Sequence, residues 1–231
     1  MPLVSIIVVV YNDLRELQAV LDSIFSFADS NVEVIVIDGG SSDGSAALLR
    51  SLSSRLAYWV SEPDKGIYDA MNKGVAAATG TYVLHVNAGD RLLKLPLQQL
   101  READQAGVDV AAFRVSLDGK RIFVPRTGWS LSLNNTWHHQ GTFYRRTILP
   151  AYDTAYRTFA DFDLNQRLLR AKVRVRLYSD VVARHSTDGA SHSRGSAEVY
   201  RIVRKNFGPL RPIGTWLDFK WRALKNRLQP S

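Results

Sequence analysis

The stretch VSIIVVV, residues 4–10, decides the fold class. It is a β-branched run with no polar residue after Ser5, which is typical of a strand buried on both faces in a parallel sheet. The next segment, 13–27, carries leucine and isoleucine at helical spacing and predicts a helix. This alternation predicts an α/β fold with a mostly parallel central sheet flanked by helices. Its further elements are strands over 32–37, 56–60 and 81–86 and helices over 45–52 and 66–78.

The sequence after residue 90 departs from that regular alternation. Its predicted elements are a helix over 95–106, a hairpin of 108–115 and 120–124, a polar aromatic loop over 127–137, a strand ending at Phe143-Tyr144, a helix over 161–170, a strand over 173–178, a Ser/Gly/His loop over 187–195, and helices over 196–206 and 213–228. Because no long linker interrupts residues 1–193, we expect one domain there. A C-terminal helical extension over 194–231 is expected to follow it.

The composition excludes several classes of chemistry. The chain has 231 residues and no cysteine, so disulfide frameworks, thiolate zinc sites and cysteine nucleophiles are excluded. No stretch of the sequence is long and apolar enough to span a membrane, and its beginning lacks the pattern of a signal peptide. We therefore expect a cytoplasmic protein.

Basic charge is concentrated at the C-terminal end. Residues 194–231 hold nine of the 30 lysines and arginines but only two of the 22 acidic residues. Within this segment, 213–228 mixes aromatic and basic residues, as in an amphipathic helix that lies on an anionic membrane. We expect either such peripheral contact with the inner face of a membrane or a helix docked on its own core. A nucleic-acid partner is not expected, because residues 1–193 are nearly neutral.

Polar residues follow each predicted strand of the first half. They are Tyr11-Asn12-Asp13, Asp38-Gly39-Gly40, Glu62–Lys65 and Asn87–Asp90. Ligands of open α/β sheets bind at the carboxyl ends of the strands, so these four loops predict the binding site. The chain has neither a G-x-G-x-x-G pattern after the first strand nor a G-x-x-x-x-G-K-[ST] pattern. Their absence argues against nicotinamide enzymes and P-loop nucleotidases.

Carboxylates and histidines are the candidates for chemistry. Asp90 offers a carboxylate to Mg²⁺ or Mn²⁺ beyond a buried strand, or alternatively serves only in a turn. Asp161 and Asp163 begin a predicted helix, where each is a candidate general base or a helix cap. His138 and His139 are adjacent on an extended chain, so they point to opposite faces and are not expected to share a metal.

A serine-hydrolase pattern also occurs. GSSDG at 40–44 fits G-x-S-x-G, and Ser42, Asp161 and His185 stand in the order that a Ser–Asp–His triad of this class needs. The alternative is that the glycines form a turn and that Ser42 or Asp43 caps the next helix. A serine hydrolase is therefore kept as an alternative hypothesis.

Several of these segments together resemble the family 2 glycosyltransferases of the GT-A fold. Residues 2–12 are similar to the opening strand of that family, and IDGGSSDGS at 37–45 is similar to its V-D-D-G-S-x-D-G-T segment. Asn87–Asp90 stands at the position of the D-x-D metal motif. SEPDKGIYDAMNKG at 61–74 resembles a segment of capsule, colanic-acid and O-antigen members. The resemblance covers about residues 2–190.

The resemblance implies an inverting transfer of a sugar from a UDP-, GDP- or dTDP-sugar to a hydroxyl group. The implied acceptor is a glycan or a lipid-linked oligosaccharide in bacterial surface polysaccharide synthesis. It further implies that residues 1–92 form a nucleotide-sugar-binding half and that residues 93–193 form an acceptor and catalytic half. A sugar-nucleotide or glycan-binding module without catalysis is the alternative.

The resemblance also implies roles for individual residues. Ala160-Asp161 matches the acidic catalytic segment of the family, so Asp161 is expected to be the general base, and Asp90 is expected to hold Mn²⁺ or Mg²⁺. The residues expected to bind the nucleotide sugar are Tyr11, Asn12, Asp38, Lys65, Tyr68, Asn72, Lys73 and Asn87. Those expected near the acceptor or the diphosphate are His185 and the family's H-Q pair, His139-Gln140.

The sequence departs from the family pattern at four positions. Gly39 replaces the second Asp of the D-D-G-S segment, which contacts uracil in relatives that use UDP-sugars, so the preference for a base stays open. Met71 replaces the Arg of an A-R-N segment, which leaves the diphosphate charge to nearby lysines. Of the D-x-D motif only the last acidic residue, Asp90, is present, which leaves metal dependence open. Ala160 stands where many members carry Glu.

Overall fold

The computed structural model describes residues 1–27, 29–186, 195–216 and 218. The elements predicted before residue 90 are all present, and their ends lie within two residues of the predicted ones. The strands are β1 (Val4–Val10), β2 (Val32–Asp38), β3 (Tyr58–Ser61), β4 (Tyr82–His85), β5 (Arg91–Leu92), β6 (Val110–Leu117), β7 (Arg121–Phe123), β8 (Thr142–Arg145) and β9 (Val175–His185). The helices are α1 (Leu14–Phe25), α2 (Ser45–Ser51), α3 (Ile67–Ala77), α4 (Leu97–Gln105), α5 (Trp129–Leu133), α6 (Ala160–Arg170) and α7 (Gly195–Phe207).

The nine strands form one sheet in the order β3-β2-β1-β4-β8-β6-β9-β5, with β7 paired to β6. The strands β3, β2, β1 and β4 are parallel, as the sequence predicts. Beyond β4 the sheet is mixed, because β8 is antiparallel to both β4 and β6, whereas β6 and β9 are parallel. Val10 pairs with Asp38 and Asp38 with Ser61, so the loops that follow β1, β2 and β3 leave the sheet at one edge.

Helices cover both faces of this sheet. The side chains of β1 alternate, with Ile6 and Val8 in the core beneath α1 and Ile7 and Val9 in the core beneath α3 and α6. All four are almost completely buried, which explains why β1 is a continuous β-branched run. Burial of each such side chain stabilises the fold by about 1.5–3 kcal/mol.

The helix α3 lies unusually close to β1, and this contact places its first turn at the carboxyl edge of the sheet. A Cβ atom at Gly74 would lie 2.4 Å from Cγ2 of Ile7, so only glycine permits the observed approach. The side chain of Asn72 then fixes the other face of the helix, because its amide donates to the Tyr152 carbonyl (3.0 Å) and accepts from the Tyr152 N–H (2.8 Å).

Two predictions for the second half need correction. The predicted loop over 127–137 contains the short helix α5, whose buried residues Leu131 and Leu133 supply an apolar face. The strand predicted over 173–178 continues to His185 as β9. The polar residues of this segment do not predict a strand of this length. Because β9 pairs with β6 and β5, its backbone N–H and carbonyl groups are nevertheless hydrogen-bonded.

The described C-terminal residues form α7 and a short helical segment, which a turn at 208–210 separates. Val199, Ile202 and Val203 of α7 are buried in the same core as α6, so α7 is docked on the fold. Residues 211–216 are also helical, while most of the predicted helix over 213–228 and the predicted loop at 187–194 lie outside the described residues. The predicted boundary at residue 193 stays a prediction. None of the helices in the described ranges is long and apolar enough to cross a bilayer.

Candidate functional site

The carboxyl edge of the sheet gathers the predicted ligand-binding loops. Main-chain hydrogen bonds extend the strands into these loops, from the Gly39 N–H to the Val10 carbonyl (2.9 Å) and from the Glu62 N–H to the Asp38 carbonyl (3.0 Å). The Ala88 N–H likewise donates to the carbonyl of Val9 (3.2 Å). The loops after β1, β2, β3 and β4 are therefore neighbours in space.

Asp90 ends the loop after β4 and is 3% exposed. Its Oδ2 accepts hydrogen bonds from Nε2 of Gln140 (2.8 Å) and from the N–H of Asn87 (3.1 Å). Its Oδ1 lies 2.8 Å from Nδ1 of His185, the last residue of β9. The unexpected length of β9 thus delivers His185 to a carboxylate that is 95 residues away in the sequence.

Asp90 and His185 have the spacing of two ligands of one metal ion. Two atoms that each lie about 2.1 Å from an ion, at right angles, are about 3 Å apart. A carboxylate and an imidazole both suit Mn²⁺, and Mg²⁺ often takes only one or two protein carboxylates alongside substrate phosphates. No group of three or more acidic or histidine ligands is present in the described ranges, so the remaining ligands would come from a substrate or water.

Asp161 is the second residue of α6 and is 7% exposed. Its Oδ1 accepts from the N–H of Phe162 (2.8 Å), and its Oδ2 accepts from the side-chain amide of Asn135 (2.8 Å) and faces Nδ1 of His139 (3.4 Å). Burial raises the pKa of Asp161, but the hydrogen bond from His139, together with the one from the Phe162 N–H, outweighs burial and lowers the pKa overall. The carboxylate is therefore ionised at neutral pH.

His139 joins the two acidic segments. Its Nε2 lies 3.2 Å from the side-chain amide of Asn87, and its Nδ1 faces Asp161. With the Asn87 amide as donor to Nε2, the ring proton lies on Nδ1 and is donated to Asp161. The turn that carries Asp90 and the helix that carries Asp161 therefore belong to one hydrogen-bonded network.

Tyr68 borders Asp161 from the first turn of α3. Its hydroxyl donates to the carbonyl of Thr158 (2.7 Å) and lies 3.3 Å from Oδ1 of Asp161. Burial and the charge of Asp161 raise the pKa of Tyr68 well above its usual value. Tyr68 therefore stays protonated and acts as a hydrogen-bond donor.

Two further histidines lie behind the site. Burial and the neighbouring His139 lower the pKa of His85 to about 3. Burial, together with His139 and His185, lowers the pKa of His138 to about 4. Both rings are therefore neutral at physiological pH and add no positive charge beside the two carboxylates.

The loops after β1 and β2 hold each other. The backbone N–H of Asn12, which adopts a φ of 49°, donates to Oγ of Ser41 (2.7 Å), and the side-chain carbonyl of Asn12 accepts from the N–H of Ser42 (2.9 Å). Asp38 is fully buried and accepts from Ser41 and from Ser61. Its carboxylate therefore organises the loops, while the ring of Tyr11 is 66% exposed at the open edge.

Gly39, which departs from the family pattern, lies against a carboxylate from another loop. A Cβ atom at Gly39 would lie 2.7 Å from Oδ2 of Asp64 and 3.2 Å from the ring of Tyr11. Asp64 comes from the loop between β3 and α3, and its Oδ1 accepts from the N–H of Gly66 (2.8 Å). A carboxylate is therefore present beside Tyr11 although residue 39 carries none.

Among the described residues, the predicted nucleotide-sugar residues Lys65, Asn72 and Lys73 make no hydrogen bond to Asp90 or Asp161. Asn72 is occupied by the main chain of Tyr152, and Lys73 is paired with Glu62 (2.7 Å). Lys65 is exposed beside the first turn of α3. The structure thus brings together Tyr68, Asn87, Asp90, His139, Gln140, Asp161 and His185.

Sequence reasoning missed two residues that shape the site, Asn135 and Glu198. Asn135 orients Asp161. Glu198 of α7 accepts from the N–H groups of Arg157, Thr158 and Phe159, at 2.8–2.9 Å, immediately before Asp161. No local pattern marks these two residues, because each acts on a segment that is distant in the sequence. Asp64, which fills the space beside Gly39, lies in the predicted loop 62–65, but the sequence assigns it no role of its own.

The serine-hydrolase arrangement is not assembled. That hypothesis needs Asp161 beside His185, whereas His185 is paired with Asp90 and Asp161 faces His139. The N–H of Ser42, in the loop that follows β2, donates to the side chain of Asn12 in the loop that follows β1. The glycine-rich segment therefore behaves as a turn, and Asp43 accepts from the N–H groups of Leu14 and Ser45.

The sequence comparison assigns the family. The family model described as "Glycosyl transferase family 2" matches residues 5–167. The chain belongs to glycosyl transferase family 2. It is 31% identical to the "PGL/p-HBAD biosynthesis glycosyltransferase" of Mycobacterium bovis, over 95% of this chain and 88% of that protein. It is also 31% identical to the "Uncharacterized glycosyltransferase EpsJ" of Bacillus subtilis, over 54% of this chain and 38% of that protein.

Solved structures show the same fold. TarS 1-349 of S. aureus, in complex with UDP-GlcNAc, matches 89% of this family 2 chain with a TM-score of 0.71 and 18% identity, and the chain spans 65% of that structure. The mannosyltransferase PcManGT of Pyrobaculum calidifontis, in complex with GDP-Man and Mn²⁺, matches 89% of the chain with a TM-score of 0.62 and 20% identity, over 61% of that structure. The predicted GT-A fold is confirmed.

Replacement of Glu198 tests how α7 supports the site of this family 2 chain. We expect Glu198→Ala to lower the free energy of unfolding by about 2–4 kcal/mol, because three backbone N–H groups before α6 lose a charged acceptor. Denaturant unfolding followed by circular dichroism measures this change. Glu198→Gln should lose less, and Glu102→Ala, an exposed control on α4, should change stability by no more than about 0.5 kcal/mol. An unfolding midpoint of Glu198→Ala equal to the wild type would contradict the assignment.

Proposed function

We propose that this chain transfers a sugar from a nucleotide-diphosphate sugar to an acceptor hydroxyl, with inversion at the anomeric carbon. The observation that carries the proposal is the bridge through His139 and Asn87, which puts Asp161 and the Asp90 turn in one site. An ionised base on one side of the donor sugar, with a site that neutralises the charge of the diphosphate on the other side, suits a single displacement at the anomeric carbon. Structural neighbours in complex with UDP-GlcNAc and with GDP-Man support a nucleotide-sugar donor.

Asp161 is the proposed general base. Its lowered pKa keeps it ionised, and its bonds to Phe162 and Asn135 hold the carboxylate in one orientation. The acceptor hydroxyl would donate its proton to this carboxylate as its oxygen attacks the anomeric carbon. A base of this kind contributes about 10²–10⁴ to the rate.

The donor nucleoside is proposed to lie at the loops after β1 and β2. The exposed ring of Tyr11 offers a stacking surface, and the carboxylate of Asp64 beside it offers an acceptor for an N–H of the base. Asn87 would accept a hydrogen bond from a hydroxyl of the donor sugar, since its buried side-chain oxygen has no hydrogen-bond partner in the described part of the chain. UDP, GDP and dTDP each carry a base N–H that suits this arrangement.

A divalent ion, Mn²⁺ or Mg²⁺, fits the same site. Asp90 and His185 would hold it, and Gln140 would orient Asp90 through the hydrogen bond that it donates to Oδ2. When bound, such an ion neutralises charge on the departing diphosphate. The neighbour in complex with GDP-Man and Mn²⁺ supports this part of the proposal.

The proposed biological role is the synthesis of a bacterial surface polysaccharide or glycolipid. The mycobacterial relative is named for PGL/p-HBAD biosynthesis, and it covers nearly the whole of this chain. A lipid-linked acceptor would suit peripheral contact with an anionic membrane. Leu210 is 78% exposed, Ile213 56% and Trp129 64%, and the guanidinium of Arg211 lies 3.7 Å above the Trp129 ring. This combination of exposed apolar side chains and a cation supports that contact.

The Asp161→Asn variant tests the proposed base. It should bind the nucleotide as the wild type does but turn over at least about 10²-fold more slowly, because an amide does not accept the proton. Hydrolysis and transfer are measured with the donor selected from UDP-, GDP- and dTDP-sugars. Asp163→Asn is the matched control, since Asp163 is paired with Arg167 (2.8 Å) and should affect stability instead. Near-normal turnover by Asp161→Asn would refute this role, and donor binding without any hydrolysis or transfer by the wild type would favour the binding-module alternative.

Removal of the metal site tests the proposed ion. Asp90→Ala should abolish stimulation by Mn²⁺ or Mg²⁺, because the ion loses its carboxylate ligand. The control Asp180→Ala removes a carboxylate that is paired with Lys94 away from the site and should leave the stimulation unchanged. The measurement is donor turnover against ion concentration after treatment with a chelator. Full wild-type activity in chelator would show that no ion is needed.

Flotation with vesicles of phosphatidylglycerol tests the membrane contact. We expect the wild type to float with these anionic vesicles and the variant Leu210→Glu/Ile213→Glu to float less, because two exposed apolar side chains become acidic. Leu93→Glu changes an exposed leucine elsewhere on the surface and should float as the wild type does. Equal recovery of all three proteins, or no recovery of the wild type, would contradict the proposed contact.

A further inference from the structure

A cavity of about 300 Å³ lies between the first turn of α3 and the segment that leads into α6. Lys65, Tyr68 and Asp69 line it on one side, and Tyr156 and Arg157 line it on the other. The cavity is distinct from the contacts between Asp90 and His185, because none of its lining residues follows β4 or ends β9.

The charges around this cavity are unbalanced. The side chains of Lys65 and Arg157 are exposed, and neither has an ion-pair partner among the residues that the structure describes. Asp69 is the one acidic residue among those that line the cavity, and its carboxylate accepts from the backbone N–H of Lys65 (3.1 Å) and lies 3.9 Å from the ammonium of Lys73. Two cations at the mouth of a cavity favour an anionic ligand.

Other cations near this region are already neutralised. Lys73 is paired with Glu62 (2.7 Å), and Lys205 with Asp153 (2.9 Å). Hydrogen bonds to these acidic partners raise the pKa of each lysine. Burial lowers the pKa and is the largest single effect at Lys205, but the pKa of both lysines is raised overall. The pair at the cavity mouth therefore differs from its surroundings.

The walls of the cavity are aromatic. Tyr68 and Tyr156 are 6% and 5% exposed, and the cationic groups of Arg201 and Lys205 lie about 5 Å from the centroid of the Tyr156 ring. Such walls suit the flat face of a sugar or an aromatic ring. The cavity thus offers a ring-sized apolar space with a cationic entrance.

The cavity also adjoins the proposed base. Tyr68 lines the cavity, and its hydroxyl lies 3.3 Å from Oδ1 of Asp161. Arg157 precedes Asp161 by four residues, so their Cα atoms are at most about 14 Å apart. A molecule in the cavity is therefore close enough to extend a hydroxyl toward Asp161.

We propose that this cavity binds the acceptor substrate through an anionic group, a phosphate or a carboxylate, attached to a sugar or aromatic ring. The inference rests on the proposed function, in which Asp161 takes the proton of the acceptor hydroxyl. Arg157 is the positioning cation, and its side chain holds the anionic group while Tyr68 and Tyr156 contact the ring. The proposed donor site consists instead of the loops after β1, β2 and β4, together with Asp64.

The test compares Arg157→Ala with the wild type in titrations with phenyl phosphate, observed by NMR. We expect binding to weaken by about tenfold or more, because a charge-assisted hydrogen bond is lost. Arg157→Lys should recover part of the affinity. Arg170→Ala removes an equally exposed arginine from the far end of α6 and should bind as the wild type does. Failure of the wild type to bind phenyl phosphate, or equal binding by Arg157→Ala, would overturn the inference.

Two further measurements separate this inference from the proposed function. Arg157→Ala should keep the wild-type affinity for the nucleoside diphosphate and the wild-type rate of donor hydrolysis, because Arg157 does not belong to the donor site. Displacement of phenyl phosphate by the nucleoside diphosphate would assign the cavity to the donor and overturn the inference. Absence of donor hydrolysis by the wild type, with phenyl phosphate still bound, would instead refute the proposed function.

The source of the anionic group is distinguished by three probes. Farnesyl diphosphate represents a lipid-linked acceptor, ribose 5-phosphate a phosphorylated glycan, and benzoate an aromatic carboxylate. The probe that loses most affinity in Arg157→Ala identifies the class that the cavity recognises. Loss for none of the three, together with no effect on phenyl phosphate, would overturn the inference.

Discussion

The imidazole of His139 is the constraint on which the rest of the site depends. Its two nitrogens face Asn87 and Asp161, which lie 52 and 22 residues away in the sequence. The ring is rigid, so it fixes the separation between the turn after β4 and the start of α6. It also supplies an N–H to a carboxylate that has lost most of its contact with water, and without such donors a buried charge is very costly. One side chain therefore both assembles the site and keeps Asp161 ionised.

Distant elements stabilise this arrangement from outside the network. The helix α7 packs on α6 and presents Glu198 to three N–H groups just before Asp161, while Asn72 of α3 holds the main chain of Tyr152. The segment that leads into α6 is therefore fixed at two points by helices of the same layer. Displacement of either helix would move Asp161 relative to His139, so the stability of this layer and the geometry of the base are coupled.

The parts of the structure that follow from local pattern were predictable from the sequence, and the parts that follow from long-range contacts were not. The run at β1 and the helix after it carry their own periodicity, and the position of Asp90 after a buried strand placed it at the ligand edge in advance. His185 was a candidate without a known partner, because its meeting with Asp90 requires the full length of β9. Asn135 and Glu198 carry no local signal at all. Asp38 looked like a ligand-binding residue in the sequence, and only its burial against Ser41 and Ser61 shows that it organises the loops.

The partners that surround the buried carboxylates Asp161 and Asp163 decide how much negative charge each of them keeps. Asp163 lies between cations, Arg167 at 2.8 Å and Lys205 at 3.3 Å, and is therefore neutralised within the fold. Asp161, by contrast, is held by an amide, a backbone N–H and an imidazole, so the site keeps the negative charge of its base. The family's arginine on α3 is replaced by the buried Met71, which supplies no charge. The base therefore contributes no positive charge to the site, and the diphosphate on the opposite side of the sugar needs a cation from elsewhere. We infer that the divalent ion proposed at Asp90 and His185 supplies it, since charge at the leaving group is balanced most effectively where it develops.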